Sequence, residues 1–311
     1  MASKVYIIVL NWNTYEDTVE CLESLLKLDY PNYQIVVVDN GSTDGSAEKL
    51  DQWLAGKQQL PLLKTAKNLG YAGGNNIGLR YALDQGDCDY TWVLNSDIVV
   101  DPEALKHLVQ RMKACPAAGL CGSTVLRYEL PEFIDSIGGS WYDRWFAQAF
   151  GIKGGERFDP TQIEAYQALD KKLAYIAGCA VLASAKFLRE VGLMAEDYFL
   201  YFEELDWAAR GRRKGYKLAI AAESLVYHKG SVSINKQEGQ KKRRFSLTFD
   251  KYTTRNRLLF TLRFYPYALP ILYLSVLGYL IDRLRTGEWE NVWVIIQAFG
   301  RHLAQDFFRR R

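Results

Sequence analysis

The sequence predicts an α/β fold with a mostly parallel sheet flanked by helices, and two observations carry that expectation. Short apolar runs of strand length alternate with stretches whose apolar residues recur at helical spacing, the β-α-β-α order that builds parallel sheets. The apolar run Tyr90 to Leu94 then breaks off in Asn95-Ser96-Asp97. That places a carboxylate at the carboxyl end of a buried strand, outside which open α/β sheets bind their ligands. A divalent cation held by one or two carboxylates and substrate phosphates suits such a place, although an Asp there serves equally well as a turn residue.

The elements follow in order. Lys4 to Leu10 reads as a buried strand and Asn11-Trp12-Asn13 as the turn at its end. Thr14, with Asp17 three residues on, is placed to cap a helix with the apolar face Val19, Leu22, Leu25 and Leu26, stopped by Pro31. Ile35 to Val38 is a second strand, closed by Asp39-Asn40-Gly41-Ser42-Thr43-Asp44-Gly45-Ser46, and a helix through Ala47, Leu50 and Leu54 follows. Leu60 to Leu63 reads as a third strand. Asn68 to Gly78 reads as a glycine-rich loop that lets backbone approach a ligand, leading into a helix through Leu79, Tyr81 and Ala82. It lacks the G-x-G-x-x-G spacing of a dinucleotide site and is not in the first βα turn, which argues against a hydride-transferring oxidoreductase.

Beyond a helix near Pro102 to Met112 and a strand from Gly119 to Leu126, residues 127–172 show weak periodicity and read as a long irregular excursion bordering an acceptor groove. Tyr175 to Ala183 reads as one strand with Gly178 inside it. Ser184 caps a short helix that Gly192 ends. The aromatic run Tyr198 to Phe202 leads into Glu203, Glu204 and Asp206 at a helix start, where the helix dipole favours acids. Lys217 to Ala221 and Leu225 to Tyr227 lead to His228, at the edge of a Gly/Ser loop. His107 and His302 are expected to face solvent.

Composition narrows the class. The five cysteines are scattered without a CxxC pair, which argues against a disulfide framework or a zinc site and fits a reducing compartment. No secretory leader is read at the N-terminus. Residues 241–311 carry 14 Lys and Arg against 5 Asp and Glu, whereas residues 1–240 carry 25 against 31. The division is therefore an acidic body, 1–240, and a basic, apolar, helical tail, 241–311, opened by Lys241-Lys242-Arg243-Arg244. Phe264 to Ile281 is 18 residues without charge. Its two prolines and four tyrosines make it a poor spanning helix, and Trp289 to Phe299 adds apolar residues at helical spacing. The tail is expected to lie on an anionic membrane surface, each Lys or Arg adding about 1 kcal/mol. Covering the acidic body or forming a dimer contact is the other use. Its aromatics sit in apolar runs and do not interleave with Lys and Arg, so nucleic acid is not expected as a partner.

Several stretches together resemble the inverting family 2 glycosyltransferases of GT-A fold, especially the bacterial rhamnosyltransferase-like branch. They are Val9 to Asn13, Val38 to Ser46, Asn68 to Asn75, Leu94 to Asp97, Phe199 to Asp206 and His228 to Ser231. The resemblance covers roughly residues 4–260. It implies that Asp39 hydrogen-bonds the imide edge of uracil or thymine, that Leu10 and Trp12 border the base, and that Asn68, Gly70 and Asn75 line the nucleoside. Asn95 and Asp97 stand at the family's D-x-D motif. Asp97 is then the metal ligand for Mg²⁺ or Mn²⁺, with Asn95 and Ser96 beside the donor, and His228 helps hold the metal or diphosphate. Glu204 stands where the base Asp is expected, with Glu203 and Asp206 as alternates. Where the family usually has Phe-Asp-Glu, this chain reads Met194-Ala195-Glu196.

The resemblance thus implies a metal-dependent transferase on the inner face of the cell membrane. The implied reaction moves L-rhamnose from dTDP-L-rhamnose, or a sugar from a UDP-sugar, to a saccharide acceptor expected to be lipid-linked, in cell-surface polysaccharide synthesis. A nucleotide-sugar-binding protein without catalysis is the rival.

Overall fold

The structure, a computed structural model, describes residues 2–57, 60–230 and 246–309. The basic cluster Lys241 to Arg244, the boundary at residue 240, Ser231 and the chain end Arg310-Arg311 lie outside them.

Strands β1 (Val5–Asn11), β2 (Tyr33–Asp39), β3 (Leu62–Lys64) and β4 (Tyr90–Asn95) pair in parallel, in the order β3-β2-β1-β4. The helices between them are α1 (Tyr15–Leu25), α2 (Ser46–Leu54) and α3 (Gly70–Asp84). After β5 (Ile98–Val100) and α4 (Ala104–Ala114) comes the long β6 (Ala118–Arg127). The sheet continues from β4 through β11 (Ala180–Ser184), β6 and β12 (Lys217–His228) to β5, with β11 antiparallel to both its neighbours. The result is a mixed, mostly parallel sheet of nine strands with helices on both faces.

Why the strands are apolar throughout is visible in the alternation of the side chains. Val5, Ile7 and Val9 of β1, Ile35 and Val37 of β2, and Trp92 and Leu94 of β4 join one buried cluster with α1 and α4. Tyr6, Ile8, Val36, Val38 and Val93 join the other, with α3, Phe187 and Trp207. Both faces are covered, so the positions inside these strands are apolar apart from Gln34 and Thr91.

Three local expectations are corrected. Helix α3 begins at Gly70, inside the stretch read as a loop. Its glycines serve packing: a Cβ on Gly78 would overlap Ile8, and one on Gly74 would overlap Leu10. The helix therefore lies close against β1, and this gain outweighs the low helix propensity of glycine. The excursion 127–172 is structured. It holds β7 (Ile134–Ile137), β8 (Gly139–Asp143), β9 (Gln148–Gly151), the short α5 (Ile163–Gln167) and two 3₁₀ turns. β7 pairs with β6, and β8 is the middle of a small antiparallel sheet, β10-β8-β9, whose β10 is Tyr175–Ile176. The expected strand Tyr175 to Ala183 is thus two strands in two sheets, parted at Ala177 to Cys179.

Ser184 does cap α6 (Ala185–Val191), accepting from the Phe187 amide at 3.1 Å, and Gly192 ends it at φ 89°. Thr14 precedes α1 but does not cap it; its hydroxyl is drawn to Asn11 and Ser96 instead. After α7 (Glu203–Arg213), the C-terminal part forms α8 (Leu247–Phe264), α9 (Leu269–Arg285) and α10 (Trp289–Arg309). These helices are pinned in the interior by Arg283, which donates to both carboxylate oxygens of Asp250 at 2.8 and 3.0 Å, while Asn291 donates to the same carboxylate.

Candidate active site

The carboxyl ends of β1 and β4 open onto a cleft of about 620 Å³. β4 ends at Asn95, and the chain turns at once through Ser96 and Asp97 into β5. β5 runs antiparallel to the last residues of β12, with Ile98 opposite His228. That pairing brings Asp97 and His228 together from distant parts of the chain, with Nε2 of His228 3.5 Å from a carboxylate oxygen of Asp97. On its other side, Nδ1 of His228 is 3.5 Å from Asp135, which sits in β7. Burial disfavours the charged imidazole, but the two carboxylates outweigh it and push its pKa up to about 9.

Asp97 and His228 offer one oxygen and one nitrogen donor to the same space. Among the described residues no group of three or more His, Cys, Asp or Glu is arranged to hold a metal by itself. The donor set therefore fits a hard cation that completes its shell with substrate phosphates. Among the described residues no group hydrogen-bonds the side-chain oxygen of Asn95, which is buried in the cleft wall and suits a ligand's donor.

The expected nucleotide residues divide. Leu10, Trp12, Asn68, Gly70, Asn95 and Ser96 line the cleft. Asp39 and Asn75 do not. Asp39 is 2% exposed and accepts from Asn11 Nδ2 at 2.7 Å and from the Ser42 amide at 3.1 Å. It heads a buried chain that runs through Asn11 and Thr14 to Ser96 in the cleft wall. Asn75 turns back to donate to the Tyr71 carbonyl. Asn40, the neighbour of Asp39, is the residue that reaches the cleft, where it bonds Asn68 and the backbone of Leu69 and Gly70.

Glu203 and Glu204 open α7 and line the same cleft. Glu204 fits because Gly178 has no side chain: a Cβ there would overlap the Glu204 carboxylate. Burial pushes the Glu204 carboxyl up to about 7. Burial also raises Glu203, and the neighbouring charge of Glu204 adds to it, so Glu203 holds its proton more firmly. Asp206, the third acid, points elsewhere. Fully buried, it accepts from Arg210, from Arg263 at 2.8 Å and from the Tyr198 hydroxyl, and it is not part of the cleft lining.

The aromatic run before α7 is held in an unusual shape. Phe199, Tyr201 and Phe202 all have positive φ, between 66° and 77°. Such strain persists only where surroundings enforce it. The enforcement comes from α8: Asn256 Nδ2 lies within 2.9 Å of the carbonyls of Tyr198, Leu200 and Tyr201. The Phe199 carbonyl in turn accepts from the Tyr71 amide at the start of α3. Met194 and Glu196 are anchored by Asn76, which bonds the Met194 backbone and the Glu196 carboxylate.

The glycosyl transferase family 2 profile matches residues 6–192. The chain belongs to glycosyl transferase family 2. A low-salt glycan biosynthesis hexosyltransferase of Haloferax volcanii is 23% identical over 218 residues, 70% of this chain and 64% of that protein. An N-acetylglucosaminyl-diphospho-decaprenol L-rhamnosyltransferase of Mycobacterium tuberculosis is 24% identical over 220 residues, 63% of this chain and 66% of its own length. The chain thus spans just under two thirds of these relatives. A mannosyltransferase from Pyrobaculum calidifontis, solved with GDP-Man and Mn²⁺, shares the fold at a TM-score of 0.58 and 16% identity, over 97% of this chain and 88% of its own. The architecture is the GT-A fold of that family.

Several residues of this family 2 site escaped the sequence reading. Asp135 sits in the excursion without periodicity, so nothing marked it. Tyr71, whose hydroxyl donates to the Gly178 carbonyl, lay inside a quoted motif but had no assigned role. Lys251 and Tyr252 of α8 line the cleft although they belong to the segment read as a tail.

Proposed function

We propose that this chain is a metal-dependent, inverting glycosyltransferase that moves a sugar from a nucleoside-diphosphate donor to a saccharide acceptor carried on a lipid, in cell-surface polysaccharide synthesis. The observation that carries this reading is a single cleft holding both the Asp97–His228 pair and a glutamate, Glu204, whose carboxyl titrates near neutrality.

Leu10 and Trp12 offer apolar contact to a base, and Asn40, Asn68 and Gly70 offer polar groups to a nucleoside. Asp97 and His228 would hold Mg²⁺ or Mn²⁺ with the donor diphosphate. The bound cation offsets the charge that develops on the departing diphosphate. Glu204 takes the proton of the acceptor hydroxyl as that oxygen attacks the anomeric carbon and the bond to the diphosphate breaks. Burial and the neighbouring charge of Glu204 raise the Glu203 carboxyl, which supports Glu204 as the base. L-Rhamnose from dTDP-L-rhamnose is the favoured donor, supported by the mycobacterial relative; a UDP-sugar is the alternative.

The tail supports a peripheral place on the inner face of the cell membrane. Among the described residues Pro266–Arg285 is the one helix long and apolar enough to cross a bilayer, with 22% of its apolar window buried. Leu274, Leu277, Ile281 and Leu284 form an exposed stripe at helical spacing, and Trp289, Trp293 and Ile296 extend it onto α10. An apolar patch of this kind marks an interaction surface.

A thermal-shift panel of dTDP, UDP, GDP and NAD, each with and without Mg²⁺ or Mn²⁺, tests the donor assignment. A pyrimidine diphosphate at 100 times its Kd adds about 2.7 kcal/mol of stability. The reading expects that gain to need metal and to disappear in Asp97→Ala. A folded protein that responds to no pyrimidine diphosphate contradicts it.

A further inference from the structure

A second cavity, of about 430 Å³, shares Tyr175, Tyr201 and Glu204 with the cleft described above. Its remaining walls are largely aromatic, from Tyr142 and Phe150 of the small sheet, Phe202, Phe249 of α8 and Tyr279 of α9. One wall residue does not fit an apolar pocket. Arg257 of α8 is 2% exposed. Its Nη2 donates to the Phe146 carbonyl and to Ser275 Oγ, and its guanidinium lies 4.8 Å from the centre of the Tyr279 ring. Among the described residues no carboxylate pairs with it, and its Nε is buried with no hydrogen-bond partner. The one other buried arginine among the described residues, Arg283, is held by Asp250. A buried guanidinium without an anion is costly to keep, and it is the residue type that recognises phosphate and carboxylate groups.

We propose that this second cavity is the acceptor subsite, and that Arg257 receives an anionic group of the acceptor while its sugar hydroxyl lies at Glu204. The proposal rests on the transferase reading for the role of Glu204, but the anion site itself does not. The shared chemistry is a phosphate or a carboxylate, carried either by a lipid diphosphate linker or by an acidic sugar. The aromatic walls suit the apolar faces of a saccharide, and Tyr279 belongs to α9, the helix that carries the exposed apolar stripe. A lipid chain leaving the cavity past α9 thus has an apolar surface to follow.

The test uses the full chain and three probes: farnesyl diphosphate, glucuronic acid and neutral octyl glucoside, with binding followed by calorimetry at two salt concentrations. The proposal expects one of the anionic probes to bind more tightly than octyl glucoside and to weaken with salt. Which of the two binds distinguishes the lipid linker from the acidic sugar. Arg257→Met should weaken that probe by about tenfold or more, and Arg257→Lys by less, while the metal-dependent binding of dTDP or UDP stays at the wild-type level. Thr253→Glu, which puts a negative charge in the same wall, gives a second variant should Arg257→Met fail to fold, and it should cause the same selective loss. Neither anionic probe binding better than octyl glucoside overturns the proposal, and so does unchanged affinity in a folded variant. Loss of nucleotide binding in wild type would count against the transferase reading alone.

Discussion

At the residue scale the account turns on how burial sets proton affinities. With the Glu204 carboxyl at about 7, kcat/KM should rise as pH increases towards 7 and level off above it, because only the ionised form accepts the acceptor's proton. Glu204→Gln should lower turnover by about 10²–10⁴-fold and leave donor binding intact, measured as initial rates beside nucleotide affinity. Gly178→Ala should act through the same group, since its methyl takes the space of the Glu204 carboxylate. A loss of kcat in a variant that still binds the nucleotide is the expected signature. His228 carries the opposite sign. Its pKa is raised to about 9 in the folded protein, so its contribution to stability is complete below roughly 6.5 and is lost as pH rises to about 9. In EDTA, the melting temperature of wild type relative to His228→Asn should fall across that interval.

At the element scale the C-terminal helices are part of the wall of the cleft. Asn256 of α8 is fully buried and holds three carbonyls of the strained aromatic run. Asn256→Ala strips those carbonyls of their donor, at about 1–3 kcal/mol of stability, and should lower turnover as the run relaxes. Urea unfolding and initial rates read the two effects. Arg283→Met leaves the Asp250 carboxylate buried without its cation, and should cost about 3–5 kcal/mol in the same unfolding assay. In the sequence α8 to α10 read as a basic, apolar tail expected on a membrane surface, with covering of residues 1–240 as the other use, and the individual contacts of Asn256 and Arg283 were not legible there. The parallel half of the sheet was legible because each strand is apolar on both faces and each helix keeps a periodic apolar side. The excursion 127–172 was not, because its strands are short and partly exposed, and their register is set by β6 and β10 instead of by their own pattern. In the site, Leu10, Trp12, Asn95, Asp97, Glu204 and His228 were named from motifs and lie in one cleft. Asp39 was named from the same resemblance and Asp206 as an alternate to Glu204; the first is bonded by Asn11 and Ser42 and the second by Tyr198, Arg210 and Arg263, pairings that the motifs alone do not reveal.

At the scale of the whole molecule, a GT-A sheet carries one wall of the cleft and a helical C-terminal part borders it while exposing an apolar stripe. If that stripe meets a bilayer, paired Leu277→Glu and Trp293→Glu substitutions should abolish co-sedimentation with anionic vesicles without lowering the melting temperature. The central claim is that Asp97 and Glu204 serve one transfer reaction in different roles. Its most direct test is release of nucleoside diphosphate from dTDP-L-rhamnose and from UDP-sugars, with a lipid-linked saccharide as acceptor, in wild type, Asp97→Ala and Glu204→Gln. The account predicts metal-dependent release by wild type, no donor binding by Asp97→Ala, and donor binding without turnover by Glu204→Gln. Turnover by Glu204→Gln at the wild-type rate would contradict it.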